Sequence, residues 1–244
     1  MKNLTNKLIT ICVVSIFVFC LFGKSTQTSI IKKIENLLSI DYSTLKYVSS
    51  GGGGGGDEWL NFDKKRYTAH SEETISYFKE IALGREYGEA QTQLYRWDVN
   101  LKIYIYGQNT PYLNQELNDI VYELNEIINT IDIEIVSNPS SANVFIYLGS
   151  YLDYKKERPN QNLTLLEESW GLFAVYENES YIYIDVTRAN EIEQKHLLRE
   201  ELTQSLGLFN DSYKYPESIF YQDWTYTTEY APIDIELIKM LYNE

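Results

Sequence analysis

The sequence predicts an α/β (α+β) protein: a mixed, twisted five-stranded sheet with an antiparallel edge strand and helices packed on it. Three observations predict it. Five short runs rich in Ile, Val, Tyr and Phe read as strands. Longer runs with capping residues and apolar positions three or four apart separate several of them. The last two strands are joined by too few residues for a crossover, so one of them must run antiparallel.

The chain opens on an export pattern. Lys2 and Lys7 precede an apolar run from Leu8 to Phe22 that stops at Gly23, which is a positive n-region followed by an h-region. A membrane span needs about 20 apolar residues, so residues 1–23 read as a signal peptide or a retained anchor, and residues 8–22 are a candidate membrane tether. Lipid attachment at Cys20 is disfavoured by the bulky Phe19 before it. Residues 24–56 read as a linker. Ile30, Ile34, Leu37 and Leu38 recur at helical spacing within Ser29–Ile40, and Gly51–Gly56 form a tether that cannot hold a fold. The globular domain is expected over 57–244, with its core in 97–242.

Within that domain Ser71 caps a helix whose Ile75, Phe78 and Ala82 share a face, and Gly84 ends it. A strand follows at Leu101–Tyr106. Thr110 and Pro111 are a cap and an N1 proline for the apolar stripe Leu113, Leu117, Ile120, Val121, Leu124, Ile127 and Ile128. Strands follow at Asp132–Val136 and Asn143–Leu148. A polar loop containing Pro159 then leads to strands Gly171–Tyr176 and Tyr181–Val186. Asn190 and Glu193 form a capping box for a helix reaching Leu206. A last helix starts at Pro232 and carries Ile233, Leu237, Ile238 and Leu241. Strand, helix and strand over Leu101–Val136 should make a right-handed parallel crossover, with the helices on one face of the sheet.

Composition excludes some functions. The net charge of -14 leaves no cationic footprint for nucleic acid. Both cysteines, Cys12 and Cys20, lie in the export segment, so disulfides do not support the domain. The 22 tyrosines point to wet surfaces and hydrogen-bonded packing. There are two histidines. His70 stands in a cap region, structural or solvated, and His196 is expected to be exposed, one turn before Glu200 and able to pair with it.

The chemistry concentrates in one stretch, His196-Leu-Leu-Arg-Glu200-Glu201-Leu-Thr-Gln204-Ser-Leu-Gly207-Leu-Phe-Asn210-Asp211. A solvated acidic face before a capping glycine explains E-E-x-x-Q in isolation. The stretch nevertheless resembles the metzincin motif H-E-x-x-H-x-x-G-x-x-H, with the glycine kept as Gly207. Three features extend the resemblance over roughly Trp97 to Tyr242. The order of strands and helices is similar. Ser218-Ile219-Phe220-Tyr221 resembles the family's methionine turn, with Phe220 in the methionine's place. Asp234 and Leu241-Tyr242 resemble the end of its closing helix. Tyr77–Tyr87, Trp97–Gly107 and Arg199–Phe220 also resemble an uncharacterised family of bacterial lipoproteins, in which E-E-x-x-Q-x-L-G-L and S-I-F replace the histidine motif.

The resemblance implies a zincin-like fold with an active-site-type helix and a turn beneath the site formed by Ser218, Phe220 and Tyr221. It puts Glu201 at the catalytic base and Glu200, Gln204 and Asn210 at the three metal ligands. No metal site is assigned. One carboxylate and two amides make a poor zinc site and suit calcium or magnesium better, with Asp211 the one obvious extra acid. Without a metal to lower a water's pKa from about 15.7 to roughly 7, Glu201 has no activated nucleophile. The expected function is that of an exported pseudo-protease, at the cell envelope or secreted, holding an extended peptide or protein against Gly171–Tyr176. An active metal-dependent hydrolase using Glu201 with a divalent metal is the alternative. A structural envelope protein, or a glycan binder using Tyr221, Trp224, Tyr226 and Tyr230, is a third reading.

Overall fold

The computed structural model describes residues 57–84, 92–176 and 178–243. The predicted export segment, the helix expected over Ser29–Ile40 and the glycine tract lie outside the described residues. The predicted helices start where side chains can take up free backbone N–H groups. Ser71 Oγ accepts from Thr74 N at the head of α1 (Glu72–Leu83), and the Gly84 amide closes its end on the Glu80 carbonyl. Thr110 and Pro111 open α2 (Pro111–Ile127), which buries Leu113, Leu117, Ile120, Leu124 and Ile127. On either side of α1, β1 (Asp57–Asn61) and β2 (Gln93–Trp97) form an antiparallel pair of their own.

The main sheet has the order β4-β3-β5-β7-β6. It comprises β3 (Leu101–Gly107), β4 (Ile133–Ile135), β5 (Val144–Gly149), β6 (Gly171–Tyr176) and β7 (Glu179–Asp185). The β3/β4, β3/β5 and β5/β7 pairs are parallel. β6 is antiparallel to β7, with Gly171 opposite Ile184 and Tyr176 opposite Glu179. This is the mixed five-stranded sheet with an antiparallel edge that the strand spacing predicts. One sheet face presents Leu101, Ile103, Val144, Ile146, Leu148, Ile182 and Ile184 to α2 and to α5 (Glu191–Gln204) in a single apolar core.

The second face departs from the sequence expectation. The predicted polar loop around Pro159 contains α3 (Tyr151–Glu157) and α4 (Leu163–Glu168). Ser150 and Asn162 cap them by accepting from Asp153 N and Leu165 N. They lie against the opposite side of the sheet, so helices do not occupy one face alone. Register explains why cover is needed there: Tyr104, Phe145 and Tyr181 stand side by side on β3, β5 and β7, and Tyr106, Tyr147 and Tyr183 form a second row. Tyr154 of α3 stacks on Tyr183 at 4.8 Å and on Tyr147 at 5.4 Å. The Arg158 guanidinium lies 3.4 Å above the Tyr181 ring. Burial pushes the Tyr106 phenol up to about 12 and raises Tyr147, Tyr154, Tyr181 and Tyr183 as well. Much of the tyrosine content is therefore packing.

The chain closes with α6 (Pro232–Tyr242). Tyr242 Oη donates to the Leu206 carbonyl at 2.7 Å and accepts from Trp97 N at 3.3 Å, tying α6 to β2 and to the end of α5. Gly207, just past α5, has φ +124°, and a Cβ there would lie 2.1 Å from the Tyr95 carbonyl oxygen. Only glycine fits that close approach of β2.

Candidate functional site

The site forms where the head of β6, α5 and the 211–230 segment meet. Its frame is set before α5 begins. The buried Asp185 carboxylate, at the end of β7, accepts from Thr187 N and Oγ1, Tyr183 Oη, and Arg188 N and Nε. Burial alone would raise Asp185, but hydrogen bonds from Thr187, Tyr183 and Arg188 outweigh it and hold the carboxyl below its usual range. Arg188 donates onward to the carbonyls of Leu166, Glu167 and Ser169, so one arginine joins α4 to the turn ahead of α5. The predicted capping box then starts the helix: Asn190 Oδ1 accepts from Ile192 N and Glu193 N, and Glu193 returns a carboxylate to Asn190 N at 2.7 Å.

His196, Glu200 and Gln204 follow at intervals of four and share one helix face. Glu200 is half-buried, with Oε2 3.5 Å from His196 Nε2. His196 is not the exposed residue that its sequence neighbours suggest, being 4% exposed. The 211–230 segment folds over it, and His196 Nδ1 lies 2.7 Å from the Thr227 carbonyl oxygen. A carbonyl only accepts, so Nδ1 carries the proton. Burial lowers the imidazole's pKa, and the bond to Thr227 only partly offsets it.

The other motif residues each have their own partner. Gln204, fully buried, donates from Nε2 to Asp211 Oδ1 at 2.5 Å. Asn210 donates from Nδ2 to the carbonyls of Glu80 and Asp211, and its backbone N donates to Ile81 O. It thereby holds the end of α1. Glu201 lies round the helix from Glu200 and is 4% exposed. It packs against β6, with Oε1 2.7 Å from where a Cβ on Gly171 would stand.

The turn residues are anchored from α6. Ser218 Oγ donates to Asp234 Oδ1 at 2.5 Å, while Asp234 Oδ2 accepts from Ile219 N and Ala231 N. Tyr77 Oη lies 3.1 Å from Ser218 Oγ. Phe220 is fully buried in the core, and Tyr221 is half-buried edge-on to Tyr213. The proposed glycan-binding aromatics divide. Trp224 and Tyr226 are 44% and 60% exposed, whereas Tyr230 lies under Arg199 at 4.6 Å with its hydroxyl 2.7 Å from Thr203 Oγ1. His70, left between structural and solvated, pairs through Nδ1 with Glu236 at 2.7 Å.

Two important residues escaped the sequence reading. Trp170 meets Trp224 edge-to-face at 5.2 Å beside His196. Arg199, 2% exposed, pairs with Glu116 at 3.0 Å and Glu123 at 2.6 Å on α2. An arginine between Leu198 and Leu202 on a helix was the available signal for the latter.

This donor set does not fit a catalytic zinc. It offers one carboxylate and two neutral amides, whose oxygens are weak zinc ligands. Among the described residues no group of three or more His, Cys, Asp or Glu is placed to hold a metal ion.

No curated protein matches the chain. Among solved structures, one titled "Structure of Myroilysin" superposes with a TM-score of 0.39 at 10% identity, covering 60% of this chain and 82% of that one. Another, titled "Crystal structure of myroilysin", gives 0.41 at 11% identity, covering 77% and 99%. The family model described as "Protein of unknown function (DUF2927)" matches residues 71–244, from the cap of α1 through α6, and the chain belongs to that family.

Proposed function

We propose that this chain is a zincin-like pseudo-protease that holds an extended peptide or protein segment along β6 without cleaving it. In this reading it is exported to the cell envelope or secreted, with residues 8–22 as signal or tether. The feature that supports it is the place of β6 at the end of the sheet, antiparallel to β7, with its head packed on the motif helix at Glu201. Leu172, Phe173, Ala174 and Val175 are 0–5% exposed, so a guest must displace what covers the strand. An edge strand can offer its backbone to an added strand, with alternate side chains of the guest giving specificity. The hydrolase alternative lacks comparable support, because Glu201 is enclosed against Gly171 and the neighbouring donors suit no zinc.

The test pairs two measurements on the purified protein. Peptides selected from a random display library should slow hydrogen exchange at the amides of Leu172–Tyr176, and the protein should carry less than one zinc per chain. Selected peptides that leave β6 exchange unchanged would sink the binding mode. Stoichiometric zinc with chelator-sensitive peptide cleavage would replace it with the hydrolase reading.

A further inference from the structure

Trp170 immediately precedes the edge strand, and Trp224 comes from the loop over α5. Their rings meet at 5.2 Å and 77°, forming a corner rather than a flat platform. Trp224 remains 44% exposed, unusually open for the largest apolar side chain. On the helix side of the corner lie His196, its ring 6.3 Å from Trp224, and then Glu200, whose Oε2 is 3.5 Å from the imidazole. The 221–231 segment adds the exposed acids Asp223 and Glu229 and contains no lysine or arginine. Arg188 is the nearby cation, 5.9 Å from the Trp170 ring, but it is tied to Asp185 and three carbonyls.

An exposed indole on a segment whose charged side chains are the acids Asp223 and Glu229, on a chain of net charge -14, favours a cation over an acidic group. A sugar would prefer an open flat ring, whereas here the two rings meet at an angle. We propose that the Trp170–Trp224 corner, with Glu200 beside it, is a subsite for a basic side chain, lysine or arginine, of the peptide lying on β6. This rests on the peptide-binding reading above and adds to it the charge of the guest. The guest enters at Gly171, the head of the strand. Its backbone pairs along β6 while its basic side chain reaches toward Trp224.

The experiment titrates the full-length chain with three probes, followed by calorimetry and tryptophan fluorescence. The probes are acetyl-Ala-Ala-Arg-Ala-Ala-amide, the same peptide with citrulline for arginine, and methylguanidinium alone. The arginine peptide should bind about tenfold tighter than the citrulline peptide at low ionic strength, with the gap shrinking in about 0.5 M salt as charges are screened. Trp224→Ala should weaken the arginine peptide roughly two- to fivefold, the usual range for an exposed cation–π contact. Trp224→Phe should fall between, which separates loss of the ring from collapse of the loop. Glu200→Gln should narrow the arginine-to-citrulline ratio. Equal binding of the two peptides would overturn the basic subsite and leave the peptide reading standing. Trp224-dependent binding of methylguanidinium, with the peptides no tighter than it, would keep the subsite and overturn the peptide reading. No binding by any probe overturns both. An arginine preference that survives Trp224→Ala and Glu200→Gln places the site elsewhere and overturns this assignment.

Discussion

Replacing Arg199 by methionine should cost about 3–5 kcal/mol, the usual penalty for breaking a buried ion pair from one side. The guanidinium is 2% exposed and bonds Glu116, which is 9% exposed, and Glu123 on the neighbouring helix. Methionine fills much of the volume but leaves the Glu116 carboxylate buried without its cation. Burial already raises Glu116, with Arg199 pulling it back down. In Arg199→Met the folded pKa therefore rises further above the unfolded value. The sign follows: the variant's deficit is largest at neutral pH and shrinks as acid protonates Glu116. Urea unfolding at several pH values measures it. Changing Glu116 to leucine in the same chain should recover the loss to within about 1 kcal/mol, because an apolar pair of similar volume often replaces a buried ion pair without penalty. A single variant within about 1 kcal/mol of the parent would show that α2 and α5 do not depend on this contact.

The second large effect is expected at Asp234, where shape and charge can be separated. Its carboxylate accepts from Ser218 Oγ, Ile219 N and Ala231 N, and the side chain is fully buried. Asp234→Ala leaves three buried donors unmet and should cost about 3 kcal/mol or more, at roughly 1–3 kcal/mol per group. Asp234→Asn keeps an oxygen for the two amides and should lose less than about 1 kcal/mol at neutral pH. Burial raises Asp234 above its ordinary value, and the three donors pull the other way without cancelling it. A raised carboxyl contributes stability at low pH that is lost as pH climbs through its folded pKa. The parent should therefore weaken relative to Asp234→Asn as pH rises above about 4. A loss for asparagine as large as for alanine would mean that the charge itself holds the turn.

The parts of the fold legible in the sequence are those with local causes. Ser71, Thr110 with Pro111, and the Asn190–Glu193 box start helices because the bonds they make span only two or three residues. The strands of the main sheet declare themselves through β-branched and aromatic runs. The α3 and α4 helices are seven and six residues long, too short for a 3.6-residue period to stand out. The β1–β2 pair brackets α1, so no tight turn marks it. At the site, spacing alone places His196, Glu200 and Gln204 on one face of α5. Two of the motif's partners come from far along the chain: Thr227 for His196, and for Asn210 the Glu80 carbonyl, 130 residues earlier. A motif read along one helix cannot contain that information, which is why Asn210 reads as a ligand position while in the fold it closes the end of α1.

The aromatic rows on the second sheet face set an upper limit on the conditions this protein tolerates. In an unfolded chain each phenol ionises near pH 10. In the folded chain burial holds Tyr106, Tyr147, Tyr154, Tyr181 and Tyr183 protonated beyond that point. Above about pH 10 the unfolded state therefore gives up protons that the folded state retains, and every such tyrosine tilts the balance toward unfolding. Because Tyr147, Tyr154 and Tyr183 share one stacked layer, displacement of α3 would open all three to base together.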